Sequence, residues 1–74
     1  MGMTAYRLCL LSSIGTVAAV QRLHAETDQE ALAVARETLN VVLKGYPRLL
    51  GFELWEGGRK VSAERRKGVG RDSN

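Results

Sequence analysis

Two adjacent glycines at positions 57 and 58 separate two short segments, 51–56 and 59–64, in which apolar and polar residues alternate. Such alternation is typical of a strand with one buried face, and a glycine pair meets the positive-φ demand of a two-residue primed turn. The sequence therefore predicts a β-hairpin. The cross-strand pairs that follow are Glu56–Arg59, Trp55–Lys60, Leu54–Val61, Glu53–Ser62 and Phe52–Ala63.

A second hairpin is predicted near the start of the chain. Apolar residues alternate with other side chains in segments 5–11 and 16–24, around the turn-like cluster Ser-Ser-Ile-Gly at 12–15. A loop of those four residues sets one register and puts the large apolar residues on one face. The pairs in that register are Leu10–Val17, Cys9–Ala18 and Leu8–Ala19.

Between the hairpins, residues 28–44 predict a helix with a signal at each end. Thr27 and Glu30 form a capping box, in which the Thr27 hydroxyl accepts from the Glu30 amide and the Glu30 carboxylate reaches back to the Thr27 amide. Gly45 can take the left-handed conformation after the last turn, and Pro47 cannot continue the helix.

The apolar arc of this helix is wide, about 200°, whereas packing on one sheet requires a stripe somewhat wider than about 100°. Val34 and Val41 lie on its flank. Two interpretations stay open: flanking loops cover these valines, or the valines contact another subunit.

These elements predict an α+β fold, ββαββ, with a four-stranded sheet and one amphipathic helix packed on one face. The domain spans residues 1–64, and residues 65–74 form a flexible basic tail. The order of the strands is open, because strand two can run parallel to strand three or the sheet can be wholly antiparallel.

The formal charge of +3 is uneven. Residues 1–63 carry seven Lys/Arg and six Asp/Glu, and residues 64–74 carry four and two. Because the excess lies mainly in the tail, the charge is weak support for a nucleic-acid-binding fold.

A lone cysteine, Cys9, excludes an intramolecular disulfide and fits a reducing compartment, so we expect a cytoplasmic protein. The alternative, a secretory signal over residues 7–20, is disfavoured because Ser12, Ser13, Gly15 and Thr16 interrupt the apolar run. No apolar stretch approaches the ~18 residues that span a membrane, and we expect no membrane partner.

Little in the sequence favours catalysis. Cys9 and His24 are the only thiol and imidazole, and the predicted register sets them roughly 20 Å apart along the sheet, too far for a nucleophile–base pair. The glycine pair precedes no helix, so it is not a phosphate-binding loop. We therefore predict no enzymatic activity, no cofactor and no metal.

The sheet face turned away from the helix is mixed in character and is the candidate interaction surface, together with the valine flank of the helix. One alternative for Trp55 is a surface tryptophan that lies over the Lys60 stem. The candidate residues are Trp55, Lys60, Val20, Leu11, Arg7, Arg22, His24, Val34 and Val41.

Two functions fit this surface. The first is a homodimeric or partner-binding module. The second is a weak binder of single-stranded nucleic acid, in which Trp55 stacks on a base and Arg7, Arg22, Lys60 and the tail contact phosphates. The first is favoured, because Glu53 sits beside Trp55 and the folded part is nearly neutral.

The run from Phe52 to Val61, with Thr-Asp-Gln-Glu-Ala-Leu at 27–32 and Tyr-Arg-Leu at 6–8, resembles small alphaproteobacterial proteins that end in Glu-Leu-Trp-x-Gly-x-Arg-x-Val. The similarity extends over residues 5–63. Those proteins usually have Asp-Gly in the first turn, and many end soon after the last strand. The resemblance implies a sheet-plus-helix fold and a cytoplasmic location, and it supplies no activity.

Overall fold

The computed structural model describes residues 2–66 of the chain. The sheet has the order β2-β1-β3-β4, and every neighbouring pair is antiparallel. This confirms the ββαββ fold, and the two hairpins join through their first strands. The elements are β1 (Thr4–Leu11), β2 (Val17–Ala25), α1 (Asp28–Leu43), β3 (Gly51–Glu56) and β4 (Arg59–Arg65).

The core lies between α1 and one face of the sheet. Every second residue of the two inner strands points at the helix, because side chains alternate across a strand. Ala31, Ala35 and Leu39 supply the buried stripe of α1. The buried cluster consists of Tyr6, Leu8, Leu10, Ala25, Ala31, Ala35, Leu39, Leu49, Phe52 and Leu54.

The register of the first hairpin differs from the predicted one by two residues. Leu10 pairs with Ala19 and Cys9 with Val20. The loop is longer than expected, because the Ser12 amide donates to the Thr16 carbonyl (2.7 Å), and the register shifts between Leu10 and Leu11. A bulge of this kind adds one residue to one strand and is invisible in the alternation of the sequence.

The second hairpin follows the prediction only next to its turn. Glu56 pairs with Arg59 and Trp55 with Lys60, and the register then shifts, so that Leu54 faces Ser62 rather than Val61. Its remaining pairs are Glu53–Ala63, Phe52–Glu64 and Gly51–Arg65. The shift puts Ser62 on the helix side of the sheet and Ala63 on the other, which reverses the faces expected for both.

The helix ends depart from expectation in two details. The Thr27 side chain accepts from the Glu30 amide (3.0 Å) as predicted, but the Glu30 carboxylate accepts from the Glu26 amide (2.7 Å), one residue further back. Gly45 is not in the left-handed region, because positive φ occurs only at Gly15 (88°) and Gly57 (58°) among the described residues. The last turn instead closes through the amides of residues 44–46, which donate to the Val41 and Val42 carbonyls.

The first residues of the predicted tail belong to the fold. Arg65 ends β4, and the Arg66 amide donates to the Leu50 carbonyl (2.6 Å). The Arg66 guanidinium also donates to the carbonyls of Pro47 (3.1 Å) and Leu49 (2.7 Å). Residues 67–74 of the predicted tail lie outside the described residues.

Candidate interaction surface

The open face, meaning the sheet face opposite α1, carries a row of four residues that runs across all strands. Arg22 of β2 pairs with Arg7 of β1, Arg7 pairs with Trp55 of β3, and Trp55 pairs with Lys60 of β4. Residues paired directly across strands share a face and lie close enough to interact. Three cations and the single tryptophan therefore form one continuous line.

Trp55 is held by side chains of its own chain. Its indole Nε1 donates to Glu53 Oε1 at 3.1 Å. The Lys60 Nζ atom lies 5.5 Å from the ring centroid and the Arg7 guanidinium carbon 5.7 Å from it, both within cation–π range. Lys60 Nζ also lies 3.8 Å from Glu53 Oε2. The contact with Lys60 is of the kind expected in the alternative of a surface tryptophan that lies over the Lys60 stem.

The Arg7–Arg22 pair differs from the other cations of the open face. Both side chains are exposed, and neither forms an ion pair with a carboxylate anywhere in residues 2–66. The two arginines line a shallow groove of about 580 Å³ with Ala5, Val20 and Gly57. His24 pairs with Ala5 and extends the same side of the sheet.

Two other residues that the register places on the open face are buried. Cys9 is 6% and Leu11 is 2% exposed. The prediction that Leu11 belongs to the interaction surface is wrong, because residues of its own chain bury it. Leu11 therefore offers no contact surface.

The structure keeps Cys9 and His24 apart, as the sequence predicts, although at a different separation. His24 lies opposite Ala5 and Cys9 opposite Val20. The offset is four residues along the strands, or about 13 Å at the usual rise of a strand. The pair is out of hydrogen-bond reach within one chain.

The two edges of the sheet differ in their protection. Edge strands of natural proteins are usually blunted by charged residues and bulges. β4 has four charged residues among seven and a register shift, and its Arg59 and Glu64 are held in ion pairs. β2 also has a register shift, but only at its turn end, between the partners of Leu10 and Leu11. It has one charged residue, Arg22, among nine, and its residues 17–22 are all exposed.

The valine flank of α1, Val34 and Val41, lies on the same side of the domain as β2. Arg36 on the opposite flank reaches Glu64 of β4, with Nε 2.8 Å from Oε2. At about 100° per residue the valines are on the other side of the helix. Val34 is 36% and Val41 is 60% exposed, so the loops of the described chain do not cover them.

A network at the helix N-terminus was not found from the sequence. Asp28 accepts from the Tyr6 hydroxyl (2.8 Å) and from both terminal nitrogens of Arg59 (3.1 Å each), and Arg59 also pairs with Glu56 as predicted. The bidentate Arg59 contact, then the Tyr6 hydroxyl, lower the pKa of the Asp28 carboxyl. The hydrogen bond to Asp28 raises the pKa of the Tyr6 hydroxyl.

The Asp28 network predicts a stability that depends on pH. A carboxyl with a lowered pKa stabilises the fold above its unfolded pKa, about 3.9, and the stabilisation disappears as pH falls through the folded value. We expect Asp28→Asn to lower the urea midpoint at pH 7 and the difference from wild type to shrink at pH 3. Glu37→Gln, on the exposed side of α1, should lower it at neither pH. Equal midpoints for wild type and Asp28→Asn at pH 7 would contradict this.

The described residues contain no group of three or more His, Cys, Asp or Glu side chains that could hold a metal. Within the described residues, α1 is too short and too polar to cross a bilayer.

No protein-family model, no curated protein and no solved structure matches this chain. The resemblance of the Trp55 hairpin to alphaproteobacterial proteins therefore stays a prediction.

Proposed function

We propose that this chain is a non-enzymatic interaction module of the cytoplasm that associates with a second copy of itself through β2. The observation that carries the proposal is the unprotected β2 edge. An exposed edge presents a row of unpaired amide and carbonyl groups and is a template for another strand. Residues 19–25 pair regularly with β1, so their outer edge is continuous over seven residues.

The β2 strand of a second copy can pair with this edge. A two-fold axis through Gln21 pairs Val20 with Arg22 of the second copy and Ala19 with Leu23 of the second copy, so no like charges oppose one another. A two-fold interface uses the same patch on both subunits. The product is an eight-stranded sheet with both helices on one face.

The valine flank supports the same arrangement. α1 contacts β1, β2 and β3, so its axis lies near β1. Two helices over the two β1 strands would lie about 14 Å apart, three strand spacings of about 4.8 Å. Since a helix with its side chains is about 10–12 Å across, the valine flanks would face each other across a narrow cleft. The second helix would then cover the part of the apolar arc of α1 that packing on one sheet leaves exposed.

Sedimentation equilibrium with matched variants tests the proposal. We expect wild type to be a dimer at high micromolar concentration and Val20→Lys to weaken the dimer at least roughly tenfold, because an edge lysine opposes Arg22 of the second copy. Ala63→Lys adds the same charge on the open face of the protected edge β4 and should leave the dimer intact. Val34→Ser combined with Val41→Ser should weaken it by a smaller factor.

Two results would overturn the proposal. One is a wild-type monomer at high micromolar concentration. The other is equal dimerisation of Val20→Lys and Ala63→Lys. A dimer that is lost on Trp55→Ala and kept in Val20→Lys would move the contact from the β2 edge to the open face.

A further inference from the structure

We propose that the Arg7–Arg22 pair on the open face is a phosphate-binding site that takes the phosphate group of a nucleotide, free or within a single strand. This inference goes beyond self-association, because both arginines belong to one chain and the site is complete without a second copy. Its test therefore gives an answer whether or not the chain dimerises.

The pairing of the two arginines is unfavourable without a ligand. They lie directly opposite each other on β1 and β2, and like charges in that position destabilise a sheet. Ion pairs with carboxylates hold Arg36 and Arg59 in this structure, whereas Arg7 and Arg22 have none among residues 2–66. A bound anion would remove the repulsion between them.

The chemistry of two guanidinium groups selects an oxyanion. Each guanidinium presents a planar fork of donors that matches two oxygens of a phosphate, and two forks from neighbouring strands can grip one group. The groove beside them, about 580 Å³, falls within the range of small-ligand sites. At its wall, a Cβ added to Gly57 would meet no atom within 4 Å, so the space there is open.

The neighbours of the pair favour a nucleotide over a bare anion. Trp55 lies next to Arg7 in the same row, and its indole can stack on a base when the phosphate draws the Arg7 guanidinium, 5.7 Å from the ring centroid, away from the ring. Lys60 is partly neutralised by Glu53 at 3.8 Å, so Arg7 and Arg22 are the cations of the row that have no ion pair with a carboxylate among residues 2–66. We therefore place the phosphate at the arginines and the base toward Trp55.

The test is a titration at low salt, followed through the fluorescence of the single tryptophan and by calorimetry. The ligands are inorganic phosphate, adenosine monophosphate and an eight-nucleotide single strand. We expect Arg22→Gln to weaken binding of the nucleotide or the strand roughly tenfold, because one of two charged forks is lost. Arg48→Gln, the same change at an exposed loop arginine, should change it less than about twofold.

Arg22→Lys distinguishes a bidentate phosphate site from binding by charge alone. It keeps the charge and loses the planar fork, so a bidentate site predicts at least about threefold weaker binding. For the strand, Arg22→Gln should also make the slope of log K against log salt shallower by about 0.7, the value of one phosphate contact. The tail is present in every variant, so its contribution to binding is the same in each and does not affect these comparisons.

A second measurement, urea unfolding, does not depend on a change in fluorescence or heat on binding. Without ligand, and at a protein concentration low enough for wild type and variants to be monomers, Arg22→Gln should raise the urea midpoint, because it removes the like-charge pair, whereas Arg48→Gln should not. Addition of adenosine monophosphate should raise the midpoint of wild type by more than that of Arg22→Gln, because the variant binds the nucleotide more weakly.

Each outcome of the titration either supports the proposed site or overturns it. Tight binding of adenosine monophosphate identifies a free nucleotide as the ligand, and binding of the strand alone identifies single-stranded nucleic acid; both support the site. No binding of any of the three ligands to wild type overturns it. Equal losses in Arg22→Gln and Arg48→Gln overturn it as well, since they would show attraction by net charge.

Discussion

Gly51→Ala is expected to be among the most damaging single substitutions in this domain. A Cβ at position 51 would lie 1.9 Å from the Glu64 carbonyl oxygen and 2.9 Å from the Arg65 Cα, both backbone atoms. Backbone atoms of a paired strand cannot turn aside as a side chain can, so β3 and β4 would have to separate at this end. We expect a loss of about 3 kcal/mol or more, at the upper end for overpacking.

Gly58→Ala is the matched control for this prediction. It adds the same methyl group within the same hairpin, where a Cβ would meet no atom within 4 Å and φ is not positive. Its cost should stay within about 0.5 kcal/mol, as at most exposed positions. Urea unfolding of both variants gives the comparison. If Gly51→Ala unfolds at the same midpoint as Gly58→Ala, the close approach of β4 to Gly51 is wrong.

The architecture was predictable because its signals are local. Alternation gives the strands, the capping residue Thr27 starts the helix, and Gly57 takes the positive φ that its turn requires. Each of these depends on residues within a few positions of one another. The Glu56–Arg59 pair beside the turn was predictable for the same reason.

The registers were not predictable, because bulges carry no periodic signal. In the first hairpin, a loop one residue longer and a register shift together moved the partner of Leu10 from Val17 to Ala19. In the second hairpin, one extra residue moved the partner of Leu54 from Val61 to Ser62. Strand order is also a non-local property, since it depends on how the two hairpins meet. The alternation of single strands contains no information about that contact.

The candidate surface was predicted in outline and corrected in detail. Arg7, Arg22, Trp55 and Lys60 share the open face as expected, but their alignment in one row follows from the β1–β3 pairing, which the sequence left open. Leu11 was assigned to this surface and is buried. The Asp28 network was missed because its members are distant in sequence and meet only when the fold brings β1, α1 and β4 together.

The two proposals meet at β2 but use different groups of it. Self-association uses the backbone of the outer β2 edge and the valine flank of α1, and phosphate binding uses the side chains of Arg7 and Arg22 on the open face. In the two-fold arrangement through Gln21, the Arg7–Arg22 pairs of both copies lie on the same face of the eight-stranded sheet. A dimer would therefore present two phosphate sites side by side, and a strand that reached both would bind with an avidity that a single nucleotide lacks.

Phe52→Ala is expected to remove a large part of the stability of the domain. Phe52 is 0% exposed and lies on the inner strand β3, opposite Leu10 of β1. Truncation of a buried phenylalanine costs about 3–5 kcal/mol, and a chain of this length is stable by about 4–11 kcal/mol. We expect Phe52→Leu, which keeps most of the volume, to lose roughly 1–2 kcal/mol.

Ile14→Ala provides the control for the Phe52 series, because Ile14 is 81% exposed in the first turn. It should cost no more than about 0.5 kcal/mol. Urea unfolding of all four proteins at one concentration is the measurement, because self-association makes the midpoint depend on concentration. The order wild type, Ile14→Ala, Phe52→Leu, Phe52→Ala is the expected order of decreasing midpoint. Equal costs for Phe52→Ala and Ile14→Ala would contradict the packing of Phe52 between β3 and α1, and with it the assignment of the open face as the side of the sheet available to ligands.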